Sequence, residues 1–105
     1  MKSQIFLRRL KNSKPLFIRR VKGNSMVPAL RPGQLIIASN LFTKLSVGQI
    51  VVIKHERLDK IKRVKDIRKG QLYLLGDNAR RSIDSRSFGW LPLEYIVGRI
   101  IWPRV

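Results

Sequence analysis

Hydrophobic positions fall in short runs along this chain: Leu16-Phe17-Ile18, Leu35-Ile36-Ile37-Ala38, Ile50-Val51-Val52-Ile53, Leu72 with Leu74-Leu75, and Ile96-Val97 with Ile100-Ile101. Each is rich in Val, Ile or Leu and bounded by Gly or Pro, a pattern of short strands rather than of helices. In "LRPGQ", "SVGQ" and "IRKGQ" a glycine stands just before a run, where a turn demands a positive φ. The pattern predicts strands over residues 16–22, 34–39, 49–55, 58–66, 71–76 and 95–102. The expected fold is mainly β, a compact antiparallel, barrel-like coiled sheet.

Within "DKIKRVKD", residues 59–66, alternation turns Ile61 and Arg63 to one side and Lys60, Lys62 and Val64 to the other. "HERLDKIKR" reads as a charged hairpin in which Glu56 and Asp59 pair with cations. His55, at the end of "QIVVIK", reads as a partly solvated strand-end residue. The chain has 105 residues, room for one domain. The one expected boundary precedes Pro15. Residues 1–14 form a basic segment, open to a disordered or an amphipathic reading, and residues 15–105 form the domain. No apolar run approaches the roughly 20 residues that a membrane-spanning helix needs.

Composition narrows the chemistry. The 23 Lys and Arg against six acids give a formal charge of +17, and the first acid is Glu56. Such a balance attracts nucleic acid, anionic lipid or an acidic partner without choosing among them. There is no cysteine and a single histidine, so thiol catalysis is excluded and neither a metal nor another cofactor is expected.

One serine stands out. In "VKGNSMVPALRPGQ", residues 21–34, Ser25 follows a predicted strand, and Pro28 prevents the chain from continuing as sheet. A serine at such a corner has its hydroxyl outside the core. Taken alone, a serine in a Gly/Pro-rich turn reads as solvated turn chemistry. A serine nucleophile needs a base, and a lysine serves when burial makes its neutral amine available near pH 7. Lys62 is one candidate.

A third stretch, "LLGDNARRSIDSRSFGWLP", residues 74–92, completes a pattern. Gly23-Asn24-Ser25-Met26-Val27-Pro28-Ala29-Leu30, Lys62-Arg63-Val64, and Gly76, Asp77, Asn78, Ser82, Asp84, Ser85, Arg86 and Gly89 together resemble the signal peptidase I type of serine peptidase. The resemblance implies the catalytic core of that family and a Ser/Lys dyad. Ser25 would be the nucleophile and Lys62 the general base, with Ser82 orienting the lysine. The Ser25 N–H would be one oxyanion donor, and Gly23 stands where some members carry a serine that completes the hole. Met26 and Pro28 would line the site. Arg63, Asp77, Asn78, Asp84 and Arg86 would brace it structurally.

Departures from the family pattern are equally specific. Ala29 replaces the usual Thr, Gly48-Gln49 replaces Gly-Asp, and "KDIRKGQ" replaces a longer connection, which implies the absence of the additional β-domain of larger members. The layout is most similar to the nickel-type superoxide dismutase maturation proteases. That similarity implies removal of a precursor's propeptide, and the family resemblance implies small residues at the first and third positions before the cut. The lack of a membrane-spanning run or signal-peptide pattern leads to an expected location in the cytoplasm or peripheral to a membrane. "QLIIASN" is the expected exposed edge for the extended substrate. The alternatives are a reduced signal peptidase acting on secretory leaders at an anionic membrane surface, a self-cleaving repressor-like domain, and a basic nucleic-acid-binding β-domain. No specific nucleic acid is expected, because the aromatic residues are scattered rather than arranged as a stacking platform.

Overall fold

The computed structural model describes residues 15–42 and 44–105; the basic segment 1–14 lies outside the described residues. Seven strands form one antiparallel sheet: β1 (Leu16–Arg20), β2 (Leu35–Ser39), β3 (Ile50–His55), β4 (Leu58–Arg68), β5 (Gln71–Leu75), β6 (Leu91–Pro92) and β7 (Ile96–Trp102), in the order β1-β2-β7-β3-β4-β5-β6. The only α-helix among the described residues is α1 (Ser85–Phe88). All six predicted strands are present, with ends displaced by up to two residues. The additional short strand is β6.

β3 explains the architecture. Its residues Ile50, Val51, Val52 and Ile53 are all buried, so both faces of the sheet centre must be covered. Ile50 and Val52 pack with Val21, Met26, Leu30, Ile36 and Ala38 on one face. Val51 and Ile53 pack with Val64, Leu72, Leu74, Leu91 and Ile96 on the other. The loop after β1 thus caps one face, and the segment after β5 caps the other. Register shifts at Ile37/Ala38, Val52/Ile53 and Val64/Asp66 let the sheet coil between the two caps.

Two-residue turns close the central hairpins. Glu56 and Arg57 join β3 to β4 with φ of 54° and 67°, the left-handed conformation whose twist suits a tight hairpin. Neither is glycine, so pairing and the contacts of Glu56 must offset roughly 1–2 kcal/mol per residue. Lys69-Gly70 joins β4 directly to β5, leaving no insertion there for a further β-domain.

The expected edge is corrected. β2 is hydrogen-bonded to β1 on one side and β7 on the other. Among the described residues the sheet ends at β1 instead. The start of β4, paired to β3 on one side, has no strand partner among the described residues on the other, because β5 pairs with β4 only from Arg63 onward.

Candidate active site

Ser25 is held from beneath. Met26 is 1% exposed and lies in the first core cluster, so burial of this thioether body, worth about 1.5–3 kcal/mol, fixes the half-buried Ser25 at the rim. Met26 therefore anchors the serine turn. Its sulfur also accepts from the Asp77 N–H at 3.5 Å. Gly23 has a φ of +74° and is exposed, and Pro28 is exposed on the outer side of the turn.

The segment after β5 is tied to this turn. The Asn78 N–H donates to the Ser25 carbonyl oxygen at 2.8 Å, and Asn78 Nδ2 donates to the Asn24 carbonyl oxygen at 3.1 Å. Gly76 lies at the crossing. A β-carbon there would stand 2.2 Å from Ser82 Oγ and 2.7 Å from the Ser25 carbonyl oxygen, so only glycine lets the two segments approach.

Lys62 reaches the same place from β4. It is 4% exposed on the face that also buries Val64, and Nζ donates to Ser82 Oγ at 3.1 Å. Ser82 Oγ in turn donates to Asp84 Oδ2 at 2.8 Å. With its proton given to the carboxylate, the hydroxyl can only accept from Lys62. Burial lowers the pKa of the amine from 10.5; Asp84 opposes the shift, whereas Lys60 and Arg86 add to it.

Asp84, 1% exposed, is the hub of the loop. Burial alone would raise its pKa, but Arg86, the Gly76 N–H, Ser82 and the Arg86 N–H all donate to it, and together they hold it below the ordinary carboxylate range. It is also the N-cap of α1. Next to it, Ser85 Oγ accepts from the Leu74 N–H at 2.8 Å, stitching the loop to β5.

The expected bracing residues form two clusters rather than one network. Arg63 makes a two-pronged pair with Asp77, Nε to Oδ1 at 2.8 Å and Nη2 to Oδ2 at 2.7 Å, and Nη1 reaches the Gly48 carbonyl oxygen at 2.8 Å. Asp84 and Arg86 form the other cluster. Among the described residues no group of three or more His, Cys, Asp or Glu side chains is gathered as metal ligands.

Sequence reasoning assigned no role to Lys60, whose ammonium lies 3.0 Å from His55 Nδ1 and 3.6 Å from Glu56 Oε1. Its placement on the Lys62 side of the strand was the available signal.

The chain matches the Peptidase S24-like family over residues 1–91. It is 32% identical, over 82% of this chain and 68% of the relative, to mitochondrial ATP-independent inner membrane protease subunit 1b of Arabidopsis thaliana. It is 33% identical, over 77% of this chain and 66% of the relative, to mitochondrial inner membrane protease subunit 1 of Xenopus tropicalis. A shorter match, 50% identical over 33% of this chain and 11% of the relative, is to thylakoidal processing peptidase 1, chloroplastic, of Arabidopsis thaliana. The chain spans about two thirds of the length of the two mitochondrial relatives.

Proposed function

The chain belongs to the Peptidase S24-like family and is a serine peptidase, and from that premise we propose that it removes an N-terminal leader or propeptide from a precursor by a Ser25/Lys62 dyad. The observation that carries this reading is a buried lysine whose hydrogen bond to Ser82 Oγ orients it, beside the loop that grips the Ser25 carbonyl.

Neutral Lys62 takes the Ser25 proton as the hydroxyl oxygen attacks the scissile carbonyl. The Ser25 N–H, which among the described residues donates to no loop or turn carbonyl, is the donor assigned to the charge that develops on the carbonyl oxygen. The intermediate collapses, the C–N bond breaks, and Lys62 returns its proton to the leaving amine. Lys62 then takes a proton from water as its oxygen attacks the acyl-Ser25 ester, and returns that proton to Ser25 Oγ. Ser82 keeps one amine N–H occupied throughout, which leaves the lone pair directed at the hydroxyl.

The substrate binds extended, adding backbone hydrogen bonds to free strand edges. The outer edge of β1 and the start of β4 lie within side-chain reach of one another, because Arg19 Nε contacts Asp59 Oδ2 at 3.2 Å. Small residues occupy the first and third positions before the cut. The precursor is a nickel superoxide dismutase, a choice supported by the motif layout. The names of the mitochondrial and thylakoidal relatives favour a second reading, processing of leaders at an anionic membrane surface.

Peptides spanning a nickel superoxide dismutase propeptide junction and a secretory leader junction separate these readings. Cleavage of the first alone supports dismutase maturation, and cleavage of the second alone supports leader processing. Ser25→Ala that still cuts either peptide would remove the nucleophile from the scheme.

A further inference from the structure

A second ammonium is held beside Lys62. Lys60 and Lys62 are two residues apart in β4, so both leave the same face of the strand with Cβ atoms about 7 Å apart. Lys60 is not a solvated surface lysine. Its side chain is 17% exposed, and Nζ lies 3.0 Å from His55 Nδ1, 3.6 Å from Glu56 Oε1 and 5.3 Å from the centroid of the Phe88 ring. The His55 side chain is 14% exposed, with its ring 4.5 Å from Phe88 and 6.0 Å from Tyr95. His55 Nδ1 lies between the Lys60 amine and the Glu56 carboxylate, 3.0 Å from one and 3.6 Å from the other.

This cluster shares a support with Lys62. Phe88 is the last residue of α1, and Asp84, the N-cap of α1, accepts from the Ser82 hydroxyl that receives the Lys62 hydrogen bond. The segment from Ser82 to Phe88 therefore touches both lysines, Lys62 through the Ser82 hydroxyl and Lys60 through the Phe88 ring. Around Lys62 stand Asp84 and Arg86 from the segment after β5, Ser82, and Lys60 from its own strand. Around Lys60 stand His55 from β3 and Glu56 from the turn, with Phe88 beneath.

We propose that Lys60 is a positioning residue for Lys62, a fixed like charge that opposes a second ammonium on the same strand face and so favours the neutral amine that acts as base. The idea rests on the reading of Lys62 as the general base. Its physical warrant is that a neighbouring cation is one of the few means of keeping a lysine neutral near pH 7. The direction of the Lys60 effect on Lys62 agrees with it.

The test is a titration of the Lys62 side chain by carbon-13 NMR in the full chain, with the resonance assigned by Lys62→Arg. In Lys60→Gln the Lys62 midpoint moves up by about one pH unit, and in Lys60→Arg, which keeps the charge, it stays near the wild-type value. An unmoved midpoint in a folded Lys60→Gln overturns the proposal. Lys60→Met, also neutral, is the substitute should the Gln variant lose the fold. In parallel, kcat/KM is followed against pH with a quenched peptide carrying alanine at the first and third positions before the cut. Its acid limb tracks the NMR midpoint, so Lys60→Gln loses about tenfold on the limb and little on the plateau. A midpoint that moves while the limb stays put overturns Lys62 as base, and with it the catalytic role of Lys60. An unmoved midpoint leaves the general-base reading standing.

Discussion

The hydroxyl of Ser82 lies between Lys62 and Asp84, accepting from the amine at 3.1 Å and donating to the carboxylate at 2.8 Å. One short side chain thereby connects a strand buried in the sheet to a loop capped by α1. The relationship fixes where the Lys62 nitrogen sits. Its orientation depends on every member of the chain being present.

Replacement of Lys62 by Arg removes the proposed base, since a guanidinium stays protonated. Lys62→Arg is expected to lower kcat/KM by about 10²–10⁴-fold at all pH values where the fold persists. With Lys62 as the proposed base, wild-type activity is expected to rise with pH through the Lys62 pKa, which burial holds below the ordinary 10.5. A pH–rate profile on both proteins, with circular dichroism as a control for folding, checks the pair. Near-wild-type cleavage by Lys62→Arg would mean that another group takes the proton.

Asp84 is expected to matter for stability as well as activity. Its folded pKa lies below the ordinary 3.8, so its contribution is fully present above the unfolded value and is lost as pH falls through the folded one. Asp84→Asn leaves donors from Gly76, Ser82 and Arg86 facing an amide. At neutral pH its melting temperature should fall by roughly 5–10 °C. The gap between variant and wild type should narrow as the solution is acidified below pH 4. A gap constant down to strong acid would show that the carboxylate charge contributes nothing.

Arg63 and Asp77 meet in a two-pronged pair at 2.8 and 2.7 Å with side chains about one quarter and one fifth exposed. Lysine cannot reproduce that fork or the additional bond to the Gly48 carbonyl. Arg63→Lys should cost about 1–2 kcal/mol in urea unfolding, with a smaller loss of cleavage than Lys62→Arg. Equal stability in the two proteins would make the pair energetically neutral.

Much of the sheet was legible because its strands are short apolar runs ending at Gly or Pro, and burial of Ile50 to Ile53 on both faces preserved that pattern. The edge was not legible. "QLIIASN" looks like an edge from its flanking turns, but pairing to β7 depends on residues about 60 positions later in the chain, which local pattern does not encode. Motif spacing drew attention to Ser25, Lys62 and Ser82. The division of the charged residues into an Arg63–Asp77 pair and an Asp84–Arg86 pair depends on β4–β5 register, and the Met26 anchor on the cover of one sheet face. Alternation put Lys60 on the Lys62 face but gave it no role, because its partners are brought together by a two-residue hairpin and by α1.

Gly76 is where the serine turn and the Ser82 loop have no space to spare. In Gly76→Ala the added carbon would meet Ser82 Cβ at 2.6 Å and the Ser25 backbone oxygen at 2.7 Å. Turning the serine would relieve only its Oγ, 2.2 Å from the added carbon, at the expense of its bonds to Lys62 and Asp84. The contacts with Ser82 Cβ and the Ser25 oxygen require the backbone of the Ser82 loop and of the serine turn to move. The serine turn then shifts relative to the Lys62–Ser82 pair, and in the proposed dyad a shift on the order of 1 Å costs about 100-fold in rate. The variant should therefore lose cleavage by that order and also melt earlier than wild type. Full activity with an unchanged melting curve would show that the two segments can separate without consequence for the site.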